Sequence, residues 1–404
     1  MLATATALLS SVDGIIDDRG DVVDSEDECD IEEVAENPRR YIQGVYYPIC
    51  IGDVLANRYR VEHKLGHGGF STVWMAHDTV NEVDVALKII KPGESGEHEY
   101  SIQNEIITAV GYSPILLLYR NTFLLGGPHG KHRVLVFPVQ GPNFREYACH
   151  TPFAARMSAL KQLLHSLKCL HDAGFIHRDL NTGNALYSLR PFDKGSTTTA
   201  KYKHLGRPRK MILPGSHELW KKAELVMPIR PRDNIVGDAV CLGDFGLTIK
   251  AGTQVTSTVQ TPIAFCAPER FHGEVPTFAS DMWSFFCIFA ELYIGRPLVC
   301  GPGTAFIVDY IVDTFGAFPE SWKGSYIASG SCQESWYDPQ RQPRSEVSLE
   351  NRLAKNRPDI GIVERQHALR VLQKGFSYVP RDRFTASQLL ADSSFRVLMK
   401  TYGL

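Results

Sequence analysis

Asp179 and Asn184 lie five residues apart in FIHRDLNTGNALY (175–187), and Asp244 follows in LGDFGL. An aspartate beside a hydroxyl can accept its proton and aim its oxygen. A second aspartate and an asparagine supply the hard oxygen atoms that a magnesium ion takes. Lys88, inside the apolar run VALK, adds a cation that burial would penalise unless an anion pairs with it. Upstream, LGHGGFSTVW puts Gly66 and Gly68 where a turn between strands lets backbone N–H groups approach phosphate oxygens. Taken singly, these are weak signals: a glycine hairpin, a lysine snorkelling from an edge strand, a tripeptide met by chance. Their fixed order, closed by APE (267–269), is not a chance pattern. The chemistry they could perform together is phosphoryl transfer, with ATP and Mg2+ as the expected ligands.

Each residue then has an expected part. Lys88 holds the α- and β-phosphates, and its partner is expected on the next helix. Glu105 and Glu99 both qualify; Glu105 is preferred because Ile102 and Ile106 flank it. Asp179 is the catalytic base, Asn184 and Asp244 hold the metal, and His177 packs the loop. Further along, Glu269 of CAPERF and Arg383 of VPRDRF are expected to form a buried ion pair. Asp281 of SDMWSF is expected to accept hydrogen bonds from the catalytic-loop backbone at the start of a core helix. The plainer alternatives are a helix-capping Asp281 and a surface Arg383.

The elements that must carry these residues are legible in the patterning. RYRVEHKLG and STVWMAHD alternate around the glycine turn, and DVALKII reads as a short buried strand. EHEYSIQNEIITAV has helical spacing, with Ile102, Ile106 and Val110 on one face. HRVLVFPVQG is another strand, and PFAARMSALKQLLHSLKCLHDAG is a long helix ending at Gly174. A strand-rich first part and a helix-rich second part predict an α+β fold of two lobes, 41–141 and 142–404. Residues 1–40 are acid-rich without periodicity and are expected to be a solvated, disordered tail. Residues 189–237, rich in Gly, Pro, Thr and basic side chains, read as an inserted loop with a short helix near HELWKKAELV.

Composition sets bounds. The chain has 404 residues, is 44% hydrophobic and 22% charged, and carries a formal charge of −2. That composition is globular, and the charge argues against nucleic-acid binding by bulk electrostatics. Nine dispersed cysteines, with no C-x-x-C pair, read as reduced thiols. The apolar run MWSFFCIFAELYIG (282–295) is too short to span a bilayer and carries Glu291, so it reads as a core helix. The mildly apolar N-terminus lacks the basic region of a signal peptide. A monomer with no membrane or nucleic-acid partner is expected, placed in the cytoplasm, the nucleus or both.

On these motifs the chain resembles the eukaryotic protein kinases from Tyr41 to Leu404, and within them the SR-protein-specific serine/threonine kinases, a fungal branch in particular. The P-x-x-I-G-D segment (48–53) and the flap G-x-G-x-F-S-T-V-W are similar to that family's, so Ser71 in place of a third glycine is expected there. The resemblance implies a bilobal kinase fold and transfer of the ATP γ-phosphate to protein hydroxyls, with Arg-Ser-rich proteins as a candidate substrate. It implies an ATP site built from Leu65, Gly66, His67, Gly68, Gly69, Phe70, Ser71, Thr72, Val73, Ala86 and Lys88. Phe137 then guards the back of the adenine pocket, and Pro138 and Gln140 present backbone groups to adenine; Pro138 needs only its carbonyl. The family also places a spacer between the catalytic loop and the DFG motif, here 65 positions from 179 to 244.

Several residues depart from the family pattern. Arg178 stands where relatives tend to have threonine, and can pair with a phosphorylated loop that offers Thr256, Ser257, Thr258 and Thr261. Cys266 stands near the position of a relatives' arginine. Asn181 replaces the lysine that normally neutralises the γ-phosphate, a loss worth a hundredfold or so in rate. Asn181 is expected to keep a hydrogen bond to a phosphate oxygen without the charge. Three readings follow: an active serine/threonine kinase, a pseudokinase scaffold binding ATP or partners, and a small-molecule kinase. Intact Asp179 and Asp244 argue against the second, and Glu269, Arg383 and a full activation segment against the third. The basic pieces KYKHLGRPRK and RPR are weak candidates for nuclear signals.

Overall fold

The computed structural model describes residues 18–23, 27–193, 195–255 and 262–404. Its first elements lie in the acidic stretch: strand β1 (Asp21–Val22), helix α1 (Glu28–Val34) and helix α2 (Arg39–Ile42). The expected disorder of residues 1–40 is therefore corrected for the described part. The reason is pairing with the insert. Strand β1 runs parallel to a strand at Arg209–Ile212, and Ile31, Tyr41 and Tyr46 form one apolar cluster with Met211, Leu213 and Leu225. Asp18, Asp21 and Asp27 meet Arg207 and Arg209 in ion pairs. Two segments that each lack a core make one together.

The alternating runs then fold as a six-stranded antiparallel sheet. Its strands are β2 (Val54–Leu55), β3 (Tyr59–His67), β4 (Ser71–Asp78), β5 (Val83–Ile90), β6 (Asn121–Gly127) and β7 (Gly130–Pro138), in the order β2-β3-β4-β5-β7-β6. One face buries Trp74, Leu87, Ile89, Val134 and Val136. Between β5 and β6 runs helix α3 (Glu94–Val110), which buries Glu99, Ile102, Gln103 and Ile106 at i, i+3, i+4 and i+7 spacing.

The chain leaves this lobe through β8 (Gln140–Asn143) and helix α4 (Phe144–Tyr147), capped by the Asn143 side chain. Helix α5 (Phe153–Asp172) buries Met157, Leu160, Leu163, Leu164, Leu167 and Leu170, and Gly174, at φ +85°, turns the chain beyond its end. Strand β9 (Phe175–Ile176) enters the catalytic loop and β10 (Ala185–Leu189) leaves it. The insert holds helix α6 (Thr198–Leu205), β11 (Arg209–Ile212) and β12 (Glu224–Val226). HELWKKAELV begins with a one-turn 3-10 helix (Ser216–Glu218) and ends as strand, while the α-helix of the insert lies about twenty residues earlier, capped by the Thr197 side chain, a signal available in the sequence. β13 (Val236–Leu242) pairs with β10, which pairs with β8, and β14 (Ile249–Lys250) pairs with β9. The helical lobe is built around α7 (Phe278–Ile294), helix packing on helix: fourteen of its residues are buried. Helices α8 (Thr304–Phe315), α9 (Leu349–Asn356), α10 (Ile362–Gly375), α11 (Ala386–Ala391) and α12 (Ser393–Thr401) complete the helical lobe.

Candidate active site

The glycine turn joins β3 to β4. Leu65, Gly66 and His67 end β3; Ser71, Thr72 and Val73 begin β4; Gly68, Gly69 and Phe70 form the tip. A Cβ on Gly66, Gly68 or Gly69 would meet nothing within 4 Å, so the backbone lies open to a ligand. The outer side of the tip is held from the N-terminal segment. The Tyr46 hydroxyl donates to the Gly68 carbonyl at 2.6 Å and Arg40 Nη1 to the Gly69 carbonyl at 2.6 Å. Neither contact follows from the flap motif itself. Beneath the turn, Ala86, Leu135 and Phe137 form an apolar wall with Leu65 and Val73. Phe137 pairs with Ala86 across β5 and β7, where Pro138 ends the strand and Gln140 opens β8.

Lys88, on β5, points its Nζ at two carboxylates: 2.8 Å to each oxygen of Glu99 and 2.8 Å to Oδ1 of Asp244. Burial works against the ammonium, but Asp244 and Glu99 outweigh it and raise its pKa above that of an ordinary lysine. The Glu99 side chain is 4% exposed and receives a hydrogen bond from Gln103 Nε2. The expected partner, Glu105, is corrected: its side chain is 48% exposed and lies 3.8 Å from Lys250. Adjacent helical residues project about 100° apart, so flanking Ile102 and Ile106 does not place residue 105 on their face. Glu99, seven residues before Ile106, does share it. The polar pair Glu99 and Gln103, four apart on that apolar face, was the available signal. Gly246 makes room: a Cβ there would lie 3.2 Å from Glu99 Oε2 and 3.3 Å from Asp244 Oδ1.

The catalytic loop closes around Asp179. Asn184 Nδ2 donates to Asp179 Oδ2 at 3.0 Å and to its carbonyl at 2.8 Å. This leaves the amide oxygen of Asn184 as the end available to a cation. Asn181 Nδ2 donates to Asp179 Oδ1 at 3.1 Å and to its carbonyl at 3.0 Å. Both amide N–H groups of Asn181 are thus directed at Asp179. Asn181 Oδ1 accepts from Gly183 N at 2.8 Å and faces Arg145 Nη2 at 3.5 Å. Burial, with Asp244 close by, pushes the Asp179 carboxyl up to about 6, against the opposing pull of His177 and the two asparagine bonds.

Deeper contacts hold the loop. Asp281, near the start of α7, accepts from His177 N at 2.7 Å and Arg178 N at 2.9 Å. His177 bridges Asp179 N and the Gly243 carbonyl, a packing role. Arg178 and Asp244 have φ of 68° and 60°, left-handed values that non-glycine residues adopt where the surroundings enforce them. Arg383 and Glu269 form a two-pronged pair at 2.7 and 2.6 Å, with both side chains almost fully buried. Cys266 is buried. Thr256, Ser257, Thr258 and Thr261 lie outside the described residues.

A Lys–Glu pair tied to a metal-type aspartate, a half-buried base and a glycine flap are what the protein kinase domain contains, and its sequence profile matches residues 59–204 and 228–395. The gap between the two matches falls in the insert. The chain is 30% identical over 351 residues to "Serine/threonine-protein kinase SRPK" of Physarum polycephalum, covering 80% of this chain and 79% of that protein. Over 172 residues it is 32% identical to "Serine/threonine-protein kinase spk-1" of Caenorhabditis briggsae, 39% of this chain and 15% of that protein. Over 170 residues it is 33% identical to human "SRSF protein kinase 3", 38% of this chain and 30% of that protein. The chain belongs to the protein kinase family, on the serine/threonine branch that includes the SR-protein kinases. ATP and Mg2+ are what this family uses in general. No helix among the described residues is long and apolar enough to cross a membrane.

Proposed function

We propose that this chain transfers the γ-phosphate of ATP to serine or threonine hydroxyls of proteins, with Arg-Ser-rich segments as the preferred acceptors. The observation that carries the reading is the cluster of Lys88, Glu99 and Asp244, tied to the Asp179 loop through Gly243, whose backbone N–H donates to the Asn184 carbonyl at 2.9 Å and whose carbonyl meets the His177 ring at 3.0 Å. Relatives of this chain carry SRPK and SRSF protein kinase in their names, which supports the acceptor class. The open glycine turn and the outward carboxylate of Asp244 fit a nucleotide and a cation.

Lys88 binds the α- and β-phosphates, and Glu99 keeps its ammonium aimed. Asn184 and Asp244 would hold Mg2+, which neutralises phosphate charge when bound. Asp179 orients the acceptor hydroxyl and takes its proton. The hydroxyl oxygen bonds to the γ-phosphorus while the bond from that phosphorus to the β–γ bridging oxygen breaks, and ADP leaves. Asn181 and Asn184 fix the Asp179 carboxylate by one hydrogen bond to each oxygen. Asn181 therefore positions the base, which favours an active enzyme over a scaffold.

The test is transfer of labelled phosphate from ATP to an Arg-Ser peptide and to a generic basic protein. Incorporation should favour the Arg-Ser peptide and vanish in Asp179→Asn. Equal labelling of both acceptors would remove the proposed preference; no labelling of either, with ATP still bound, would leave the scaffold reading in possession.

A further inference from the structure

Asn181 leaves the transferring phosphate without a cation from the catalytic loop, and a cation stands beside it from another element. Arg145 lies on α4, which the Asn143 cap and the buried ring of Phe144 hold in place. Its backbone N–H donates to the Thr182 carbonyl at 3.2 Å, so the helix is docked on the catalytic loop itself. Its guanidinium reaches over Gly183 to Asn181. A Cβ on Gly183 would lie 3.4 Å from Arg145 Nη2 and 3.7 Å from Cζ, so this glycine leaves the space that the guanidinium needs. Among the described residues no carboxylate forms an ion pair with Arg145. Glu291 feels its charge without pairing: burial raises the Glu291 carboxyl, and Arg145 offsets part of that.

We propose that Arg145 supplies the positive charge that Asn181 does not, and is a further catalytic residue of the phosphoryl transfer described above, on which this inference rests. Asp179, Asn181 and Arg145 form a continuous series: Oδ1 of Asp179 to Nδ2 of Asn181 at 3.1 Å, then Oδ1 of Asn181 to Nη2 of Arg145 at 3.5 Å. One side chain, that of Asn181, thus separates Arg145 from the base that faces the acceptor hydroxyl. As the oxygen–phosphorus bond forms and the bond to the β–γ bridging oxygen breaks, charge spreads over the γ-phosphoryl oxygens. A guanidinium at this edge of the site stabilises that charge with a fork of N–H donors. The asparagine has a matching use. Its amide bridges base and guanidinium, whereas a lysine at position 181 would place a second cation against Arg145 and repel it.

The experiment is steady-state transfer from Mg-ATP to an Arg-Ser peptide by the full chain and its variants. Arg145→Ala should lower kcat about a hundredfold, with KM for ATP changed by less than about threefold, as for loss of a group acting in the transition state. Arg145→Lys should recover about tenfold of that loss, because charge returns without the fork. In an Asn181→Lys background, Arg145→Ala should cost less than about threefold, since the lysine then carries the charge. A single substitution that merely unfolds α4 would not be rescued by either change. The proposal is overturned by a kcat within about threefold of wild type for Arg145→Ala, by an effect confined to KM for the peptide, or by equal losses in both backgrounds. Those results leave the kinase reading intact if Asp179→Asn is still inactive. Absence of transfer by both wild type and Asn181→Lys would instead overturn the kinase reading, and this inference with it.

Discussion

At the scale of single residues, two neighbouring glutamates on α3 separate what a motif shows from what a helix face decides. Glu99 pairs with Lys88 and Glu105 points away. Replacing Glu99 with Gln should lower kcat/KM for ATP by at least tenfold, since the ammonium loses a buried counter-charge. Glu105→Gln should stay within about twofold of wild type. Steady-state kinetics on the two proteins decides it, and equal effects would refute the assigned pair. Asp179 supports a second prediction. Its carboxyl is raised to about 6, so it is a base above that pH and is protonated below it. kcat/KM should therefore fall as pH drops through about 6, and an acid limb near 4, the ordinary carboxylate range, would contradict the burial seen here. Asp179, Asn184, Asp244, Glu269 and Arg383 were legible in the sequence because each sits in a short motif whose spacing carries its geometry. The bond from Asn181 to Asp179 was not, because a side chain that turns back onto its own loop leaves no periodic trace.

At the scale of elements, strands β3 and β4 and helices α3 and α5 were legible from their patterning, and β5 and α7 from continuous apolar runs that are buried on most sides. The N-terminal segment was not. Its acids look solvated when read along the chain, and they become structural only when the basic insert is beside them. Other charges of KYKHLGRPRK are spent on the sheet and within the insert: Lys201 is buried against Glu62 of β3 and Asp84 of β5, and Lys210 against Glu224 of β12. Glu36 shows the energetic side of this docking. It is buried against Lys64 of β3 and accepts from the Tyr41 hydroxyl. Burial alone would raise the Glu36 carboxyl, but Lys64 and Tyr41 hold it below the usual range. Its lowered pKa makes it a stabilising contact above its unfolded value, lost as pH falls through the folded one. Glu36→Gln should destabilise the protein by about 3 kcal/mol, because it strands the Lys64 charge in the interior. Urea unfolding measures this; a loss below about 1 kcal/mol would mean that the segment is only loosely docked.

At the scale of the whole molecule, the two lobes are joined at the site by a charge contact. Lys88 belongs to the sheet and Asp244 to the helical lobe, 156 positions later, with 2.8 Å between them. Bound nucleotide would be gripped from both sides, by the glycine turn and Lys88 above and by Asn184 and Asp244 below. A ligand that binds the folded chain alone raises its stability by RT ln(1 + [L]/Kd), about 2.7 kcal/mol at a hundredfold excess over Kd. Mg-ATP should therefore raise the melting temperature of the wild-type chain by several degrees. ATP with a chelator should raise it far less, because Asp244 and Asn184 would then face phosphate oxygens without an intervening cation, and like charges repel. Asp244→Asn should narrow the gap between the two conditions, since it removes that repulsion together with a metal ligand. Lys88→Met should weaken the shift in both. A wild-type shift that is indifferent to the chelator would place the nucleotide away from Asp244, and would separate the grip of the upper lobe from that of the lower.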